Sequence, residues 1–398
     1  LEGLKVLDFT WYAAGPYVTK YLGMFGATVV KVESSTRLAS RANPPFKDGK
    51  SGPNSSGTFA LFNSHKYGVT LNLKHPRGLE VAKRLVAWAD IVTENFAAGR
   101  LQEIGLGYEE LRKIKPDIIM LSSTTQGQTG PHAHQPGFGI HLECLTGFVN
   151  LIGWPDRAPV VHSGLVTDLI AARFAVVTIM AALDHRRRTG AGQYIDLSQY
   201  ECALQFLAPL LLDFKLNERV AGRVGNRSPY AAPHGVYPCQ GDDRWCTIAV
   251  FDDEEWKGLV EAMGNPSWAE EPKFTTLLNR KQHERELDPL IAQWTVDLVA
   301  EDVAMVLQAH GVGAGVVKNV EDIYHDPQLA HLRQWHELDH PEIGRYRSDK
   351  PGFVLSRTPP STEMPAPCLG QHNEYFYTQV LGMSDEEFLE LLASGVFE

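Results

Sequence analysis

Leu4-Lys5-Val6-Leu7-Asp8-Phe9, then Gly15-Pro16, then Gly26-Ala27-Thr28-Val29-Val30-Lys31-Val32-Glu33 is the stretch that decides the fold. Residues 4–9 read as a strand. Gly15-Pro16 opens a helix running to about Phe25, since proline suits the first helical position. Gly26 closes that helix, and Thr28–Glu33 is a second strand. A β-α-β start of this kind predicts parallel pairing with a right-handed crossover.

The alternation continues down the chain. Pro76 to Trp88 reads as a helix and Asp90 to Glu94 as a strand. Tyr108 to Ile114 is a further helix and Asp117 to Ser122 a further strand. After Asp168 comes a long apolar helix, Leu169 to about Arg187, then a strand at Gln193–Leu197. The fold class is therefore α/β, an open parallel Rossmann-like sheet with helices on both faces. The expected large domain is 1–215. A smaller α+β domain follows at 220–325, with a strand at Trp245–Val250 and helices near Asp253–Met263, Arg280–Leu290 and Ala300–Ala309. Gly222–Pro238 reads as a linker or functional loop. Residues 326–398 form a tail returning to the large domain, loop-rich from His340 and ending in a helix at Ser384–Ala393.

Composition narrows the function. The 398 residues hold 37 Lys and Arg against 48 Asp and Glu, a net charge of −11, with 43% apolar and 21% charged residues. That is ordinary globular composition. The acidic balance argues against a nucleic-acid surface, which needs clustered cations. No membrane span is expected, because the longest apolar stretch, Phe206–Leu212, contains Pro209 and falls short of the roughly 18–20 residues required. No secretory leader is expected, because a strand pattern begins almost at once. The five cysteines, Cys144, Cys202, Cys239, Cys246 and Cys368, are scattered without a C-x-x-C pair. They read as buried thiols in a reducing, cytoplasmic setting, and not as a zinc site. No H-E-x-x-H spacing and no G-x-S-x-G elbow occurs, so no metal is expected.

Open α/β sheets bind ligands at the carboxyl ends of their strands. The turn after the first strand is Thr10-Trp11-Tyr12-Ala13-Ala14-Gly15-Pro16. It holds one glycine, whereas a pyrophosphate-binding fingerprint needs three, so no NAD is expected despite Glu33 at the end of the second strand. Asp168 stands before the long helix. It suits a helix N-cap. That role is compatible with a carboxylate nucleophile, kept ionised by helix amides and dipole. Cys144, three residues from His141, reads as an apolar structural thiol.

Taken in order, these segments resemble the class III CoA-transferases, the carnitine/bile-acid CoA-transferase family. The residues that carry the resemblance are the opening 1–33, Thr93-Glu94-Asn95-Phe96, Gly105-Leu106-Gly107-Tyr108-Glu109-Glu110-Leu111 and Gly127-Gln128-Thr129-Gly130-Pro131. Gly164-x-x-x-Asp168, Thr189-Gly190-Ala191-Gly192-Gln193-Tyr194-Ile195-Asp196 and Cys368-Leu369-Gly370-Gln371-His372 complete it. The resemblance implies transfer of coenzyme A from an acyl-CoA donor to a free carboxylic acid, with Asp168 as nucleophile. The intermediates would be an aspartyl anhydride and an aspartyl-CoA thioester. It implies an interlocked-ring homodimer, or a heteromer with a homologous subunit. It places CoA against Leu71, Lys74, Asn95, Phe96 and Arg100. The substrate pocket would lie at Trp11, Tyr12, Ala13, Phe138 and Gly139, and Trp11 and Tyr12 favour an aromatic or branched acid over a small dicarboxylate. The Gly222–Gly235 loop is a candidate cover against water. Several positions depart from the family pattern. Gly139 stands where many members carry an acid, Glu103 where an Arg contacts CoA phosphate (Arg100 being near enough to substitute), and a glycine run is missing. An acyl-CoA racemase of the same fold needs a histidine near Phe138, and His141 is close. A non-catalytic subunit of a heteromer is the other alternative.

Overall fold

The computed structural model describes residues 1–162 and 165–398. In chain order the first elements are β1 (Lys5–Asp8), α1 (Ala14–Met24), β2 (Thr28–Glu33), α2 (Gly57–Asn63), β3 (Tyr67–Thr70), α3 (Pro76–Trp88) and β4 (Ile91–Glu94). Next come α4 (Arg100–Glu103), α5 (Tyr108–Ile114), β5 (Ile119–Thr124), α6 (Gly139–Leu145), α7 (Phe148–Leu151), α8 (Val166–Thr189) and β6 (Tyr194–Ser198). They are followed by α9 (Gln199–Leu204), α10 (Ala208–Asn217), β7 (His234–Pro238), β8 (Trp245–Ala249) and α11 (Asp253–Ala262). The chain ends with α12 (Leu277–Gln282), α13 (Glu284–Thr295), α14 (Ala300–Ala309), β9 (Gly313–Val316), α15 (Val320–Tyr324), α16 (Pro327–His331), β10 (Trp335–His340), β11 (Gly344–Asp349) and α17 (Asp385–Ala393).

Two compact units result. The larger holds residues 1–149, 161–221 and 330–398, and the smaller 150–160 and 222–329. Residues 150–160, read from sequence as part of the large domain, fall in the small unit. The Gly225 N–H donates to the Gly153 carbonyl, and Arg223 donates to the Trp154 carbonyl.

The large unit is built on a six-stranded sheet of order β3-β2-β1-β4-β5-β6, parallel throughout. Alternate strand residues feed two cores. Leu7, Val30, Val69, Val92 and Met120 face α3 and the C-terminal Phe376 and Tyr377. Val6, Val29, Ile91, Ile119 and Leu121 face α1 and α8. Burial on both faces explains why these strands read as unbroken apolar runs. α8 is apolar and long enough to cross a membrane by composition. Here Ala171, Ala172, Ala175, Ile179 and Ala182 are packed into the second core.

The small unit is an antiparallel sheet, β7-β8-β9, against helices that supply Trp256, Leu259, Leu287, Ile291, Val303 and Leu307. Buried Arg280 pins it, donating to the Ala232 and Phe274 carbonyls and pairing with Asp253.

Several expectations are corrected. α8 begins at Val166, three residues early, with Leu165 as its cap. The loop read at Gly222–Pro238 contains β7. The helix read at Arg280–Leu290 is two helices that meet at His283. The loop-rich tail opens with the β10–β11 hairpin. Cys144 is exposed, because α6 turns Gly139, Leu142 and Glu143 inward and leaves position 144 outside.

Candidate active site

The strand order reverses beside β1 and β4, and the loops leaving their carboxyl ends splay apart there. Side chains from four other positions hold the backbone of the Thr10–Tyr12 turn. Asp8 accepts from the Thr10 N–H at 2.8 Å, and the Lys31 ammonium donates to the Thr10 carbonyl at 2.6 Å. The Asn95 amide accepts from the Trp11 N–H and donates to the Trp11 carbonyl, at 2.6 and 2.8 Å. Ser40 accepts from the Tyr12 N–H. Tyr12 itself sits at φ 60°, a left-handed conformation that this clamping sustains.

A cavity of about 630 Å³ opens at these strand ends. Its wall includes Trp11, Tyr12 and Ala13 from the first turn, and Leu71 and Lys74 after β3. Asn95, Phe96 and Arg100 follow β4, and Phe138, Gly139 and Asp168 complete it. The residues that the resemblance implies for CoA and substrate, together with Asp168, therefore line one space, while Glu103, His141 and Cys144 do not. Phe96 stands edge-on to Trp11 at 5.2 Å, and Tyr12 edge-on to Phe138 at 5.6 Å. Phe138 is 60% exposed, and its backbone N–H donates to His141 Nδ1 at 3.1 Å.

The charges are distributed unevenly. Arg37, missed from sequence, lines the cavity with its guanidinium 4.7 Å from the Trp11 ring. Arg100 is paired with Glu103 at 2.6 Å. Arg37 and Lys74 have no ion-pair partner among the described residues. Buried Glu94 receives the Phe96 N–H at 2.7 Å, and burial raises its carboxyl to about 7 against the pull of its hydrogen bonds. Thr124 and Gln199, also missed, line the cavity with buried polar atoms that have no protein partner among the described residues.

Asp168 is the third residue of α8 and makes no capping hydrogen bond among the described residues. The N-cap reading is corrected, and so is the expectation of a carboxylate held ionised by the helix end. Burial, and then the nearby charge of Glu143, raises its carboxyl from 3.8 to about 7. Removal from water outweighs the helix dipole, whose effect is worth well under one such shift.

The CoA-transferase family III sequence profile matches residues 1–373. A succinyl-CoA–D-citramalate CoA-transferase of Chloroflexus aurantiacus is 33% identical over 398 residues, covering 100% of this chain and 98% of that one. A succinyl-CoA:glutarate CoA-transferase of Mus musculus is 30% identical over 404 residues, covering 100% and 90%. A CAIB/BAIF family protein from Brucella suis superposes with a TM-score of 0.88 at 30% identity, covering 95% of this chain and 98% of that chain. The chain belongs to CoA-transferase family III and is a CoA-transferase.

Proposed function

We propose that this enzyme moves coenzyme A from succinyl-CoA to a small dicarboxylic acid through covalent intermediates on Asp168. The observation that carries this reading is the cavity itself. It joins a carboxyl group, two open cations and unpartnered polar atoms at the carboxyl edge of a parallel sheet. Arg37 and Lys74 suit the CoA phosphates, and the Trp11–Phe96 pair offers an aromatic face for the adenine. Asn95 serves by holding Trp11, since its amide is spent on that backbone.

The chemistry balances without metal or ATP. An Asp168 oxygen attacks the thioester carbonyl, the carbon–sulfur bond breaks, and CoA leaves as thiolate. The thiolate attacks Asp168 Cγ and the donor acid departs as carboxylate, leaving an aspartyl-CoA thioester. The acceptor carboxylate attacks Cγ in turn and expels CoA thiolate, which takes the acceptor acyl group and frees Asp168. Water must be excluded throughout, or the anhydride is lost.

The dicarboxylate class rests on the two relatives, named for citramalate and glutarate. It replaces the aromatic or branched acceptor, because Trp11 is already occupied by the edge of Phe96 and by the Arg37 guanidinium over its ring. A dimer is part of the reading. No residue of α10 is buried, and Leu211, Leu212, Phe214 and Leu216 are each more than half exposed. Apolar exposure on that scale calls for a partner. A heteromer is the alternative assembly, since an L-malate CoA-transferase beta subunit of Chloroflexus aurantiacus is 32% identical over 402 residues.

The test is a transfer assay. The protein is mixed with succinyl-CoA and, separately, citramalate, malate, glutarate and mesaconate, and CoA esters are separated by chromatography. The expected result is a new acyl-CoA formed mole for mole with succinyl-CoA consumed. Slow hydrolysis alone, with no acceptor ester, would overturn the reading.

A further inference from the structure

Glu143 is a fully buried carboxyl on α6, four residues after Gly139, which stands where many family members carry an acid. One oxygen accepts from the Val166 N–H at 3.2 Å, at the first residue of the helix that carries Asp168. The other has no hydrogen-bond partner among the described residues. A second link ties the same two helices: the Thr167 hydroxyl donates to the Gly139 carbonyl at 3.4 Å. Gly139 and Asp168 both line the cavity. A buried carboxyl half committed to a helix end and half unpartnered is costly unless it serves something.

We propose that Glu143 is a positioning residue for Asp168, fixing the first turn of α8 through the Val166 N–H and using its charge to set when Asp168 can attack an acyl-CoA. The proposal rests on the assignment of Asp168 as nucleophile. Among the described residues packed around α8, Glu143 is the charged group placed for this role, since His141 on the same helix accepts from the Phe138 N–H. β5 turns Ile119, Leu121 and the hydroxyl of Ser123 to this face, none of them charged. On α1, Tyr17 and Lys20 are both bonded to Asp349. On α9, Gln199 is uncharged and Glu201 is exposed, while Asp196 of β6 accepts from the Gln128 N–H. On α8 itself, Arg173 donates to the Leu169 carbonyl. Two carboxyls sharing a dry site cannot both ionise freely, so the second one delays ionisation of the first.

The experiment reads adduct formation on Asp168 against pH. Wild type, Glu143→Gln and Glu143→Asp are mixed with succinyl-, glutaryl- or acetyl-CoA between pH 5.5 and 8.5. Each sample is acid-quenched, and the peptide carrying Asp168 is weighed. Glutamine keeps an acceptor for Val166 but drops the charge, so the midpoint of the acidic limb should fall by about one unit. Adduct formation at pH 6 then rises about fivefold over wild type. Aspartate keeps the charge but is shorter, so the midpoint stays and the plateau rate falls. An unchanged midpoint in Glu143→Gln, with or without a lower rate, overturns the proposal and leaves the nucleophile standing. Wild type without any adduct overturns both.

Discussion

Asp168→Asn is expected to lower CoA transfer by about a thousandfold or more, and at the same time to stabilise the protein at pH 8. On the proposed route Asp168 is the covalent nucleophile, so its loss removes that route and neighbouring groups do not restore it. The gain in stability follows from the same carboxyl. Its value is about 7 in the folded chain against 3.8 ordinarily. Between those values the folded chain holds a proton that the unfolded chain has released, so stability falls as pH climbs from about 4 to 7. Asparagine does not ionise and escapes that loss. Partial solvent access to the site tempers the effect to about 1–2 kcal/mol, or about 2–4 °C in Tm at pH 8, fading to nothing near pH 4. A thermal melt at both pH values checks this. A variant that loses activity and also melts lower at pH 8 would contradict the account.

Asp8→Asn is expected to destabilise the large unit by about 3–5 kcal/mol. Asp8 is wholly buried at the end of β1 and accepts from the Thr10 N–H and hydroxyl, the Thr19 hydroxyl and the Lys66 ammonium. Burial alone would push its carboxyl up, but Lys66 and Lys31, with the Thr10 and Thr19 hydroxyls, outweigh it and hold it down at about 2. Its stabilisation is therefore present above about pH 4 and is lost only as pH falls through 2. Asparagine would leave two buried lysines facing a neutral group. It would also loosen the Thr10 peptide, which Asp8 and Lys31 grip from opposite sides. The KM for acyl-CoA should rise along with the loss of stability, because the same turn presents Trp11 and Tyr12 to the cavity. Urea unfolding of the two proteins measures the difference. A change below 1 kcal/mol would show that the network contributes little.

The parallel sheet was legible because its strands are buried on both faces and punctuated by Pro16, Gly26 and Pro76. β3 was not. Tyr67-Gly68-Val69-Thr70 is short and carries a glycine for a tertiary reason: a Cβ at Gly68 would lie 2.8 Å from Pro367, some three hundred residues away in sequence. The start of α8 was misplaced because Leu165-Val166-Thr167 looks strand-like, and what holds it helical is Glu143 and Gly139 on another helix. The residues that family resemblance marked for CoA and substrate, with Asp168, line one cavity. Three things were beyond reach. Arg37 has no motif around it. Gln199 shows its meaning only as a buried oxygen with no partner among the described residues. The ionisation of Asp168 depends on a carboxyl 25 positions back, a pairing that no local pattern reveals.

Covalent linkage of Asp168 during transfer, as proposed, is open to direct observation. The most direct measurement is a trap: enzyme is incubated with succinyl-CoA, hydroxylamine is added, and the digested peptide carrying Asp168 is weighed and sequenced. A hydroxamate on Asp168 that forms only with acyl-CoA, and never in Asp168→Asn, is the predicted result. Turnover of succinyl-CoA with Asp168 unmodified would contradict the account.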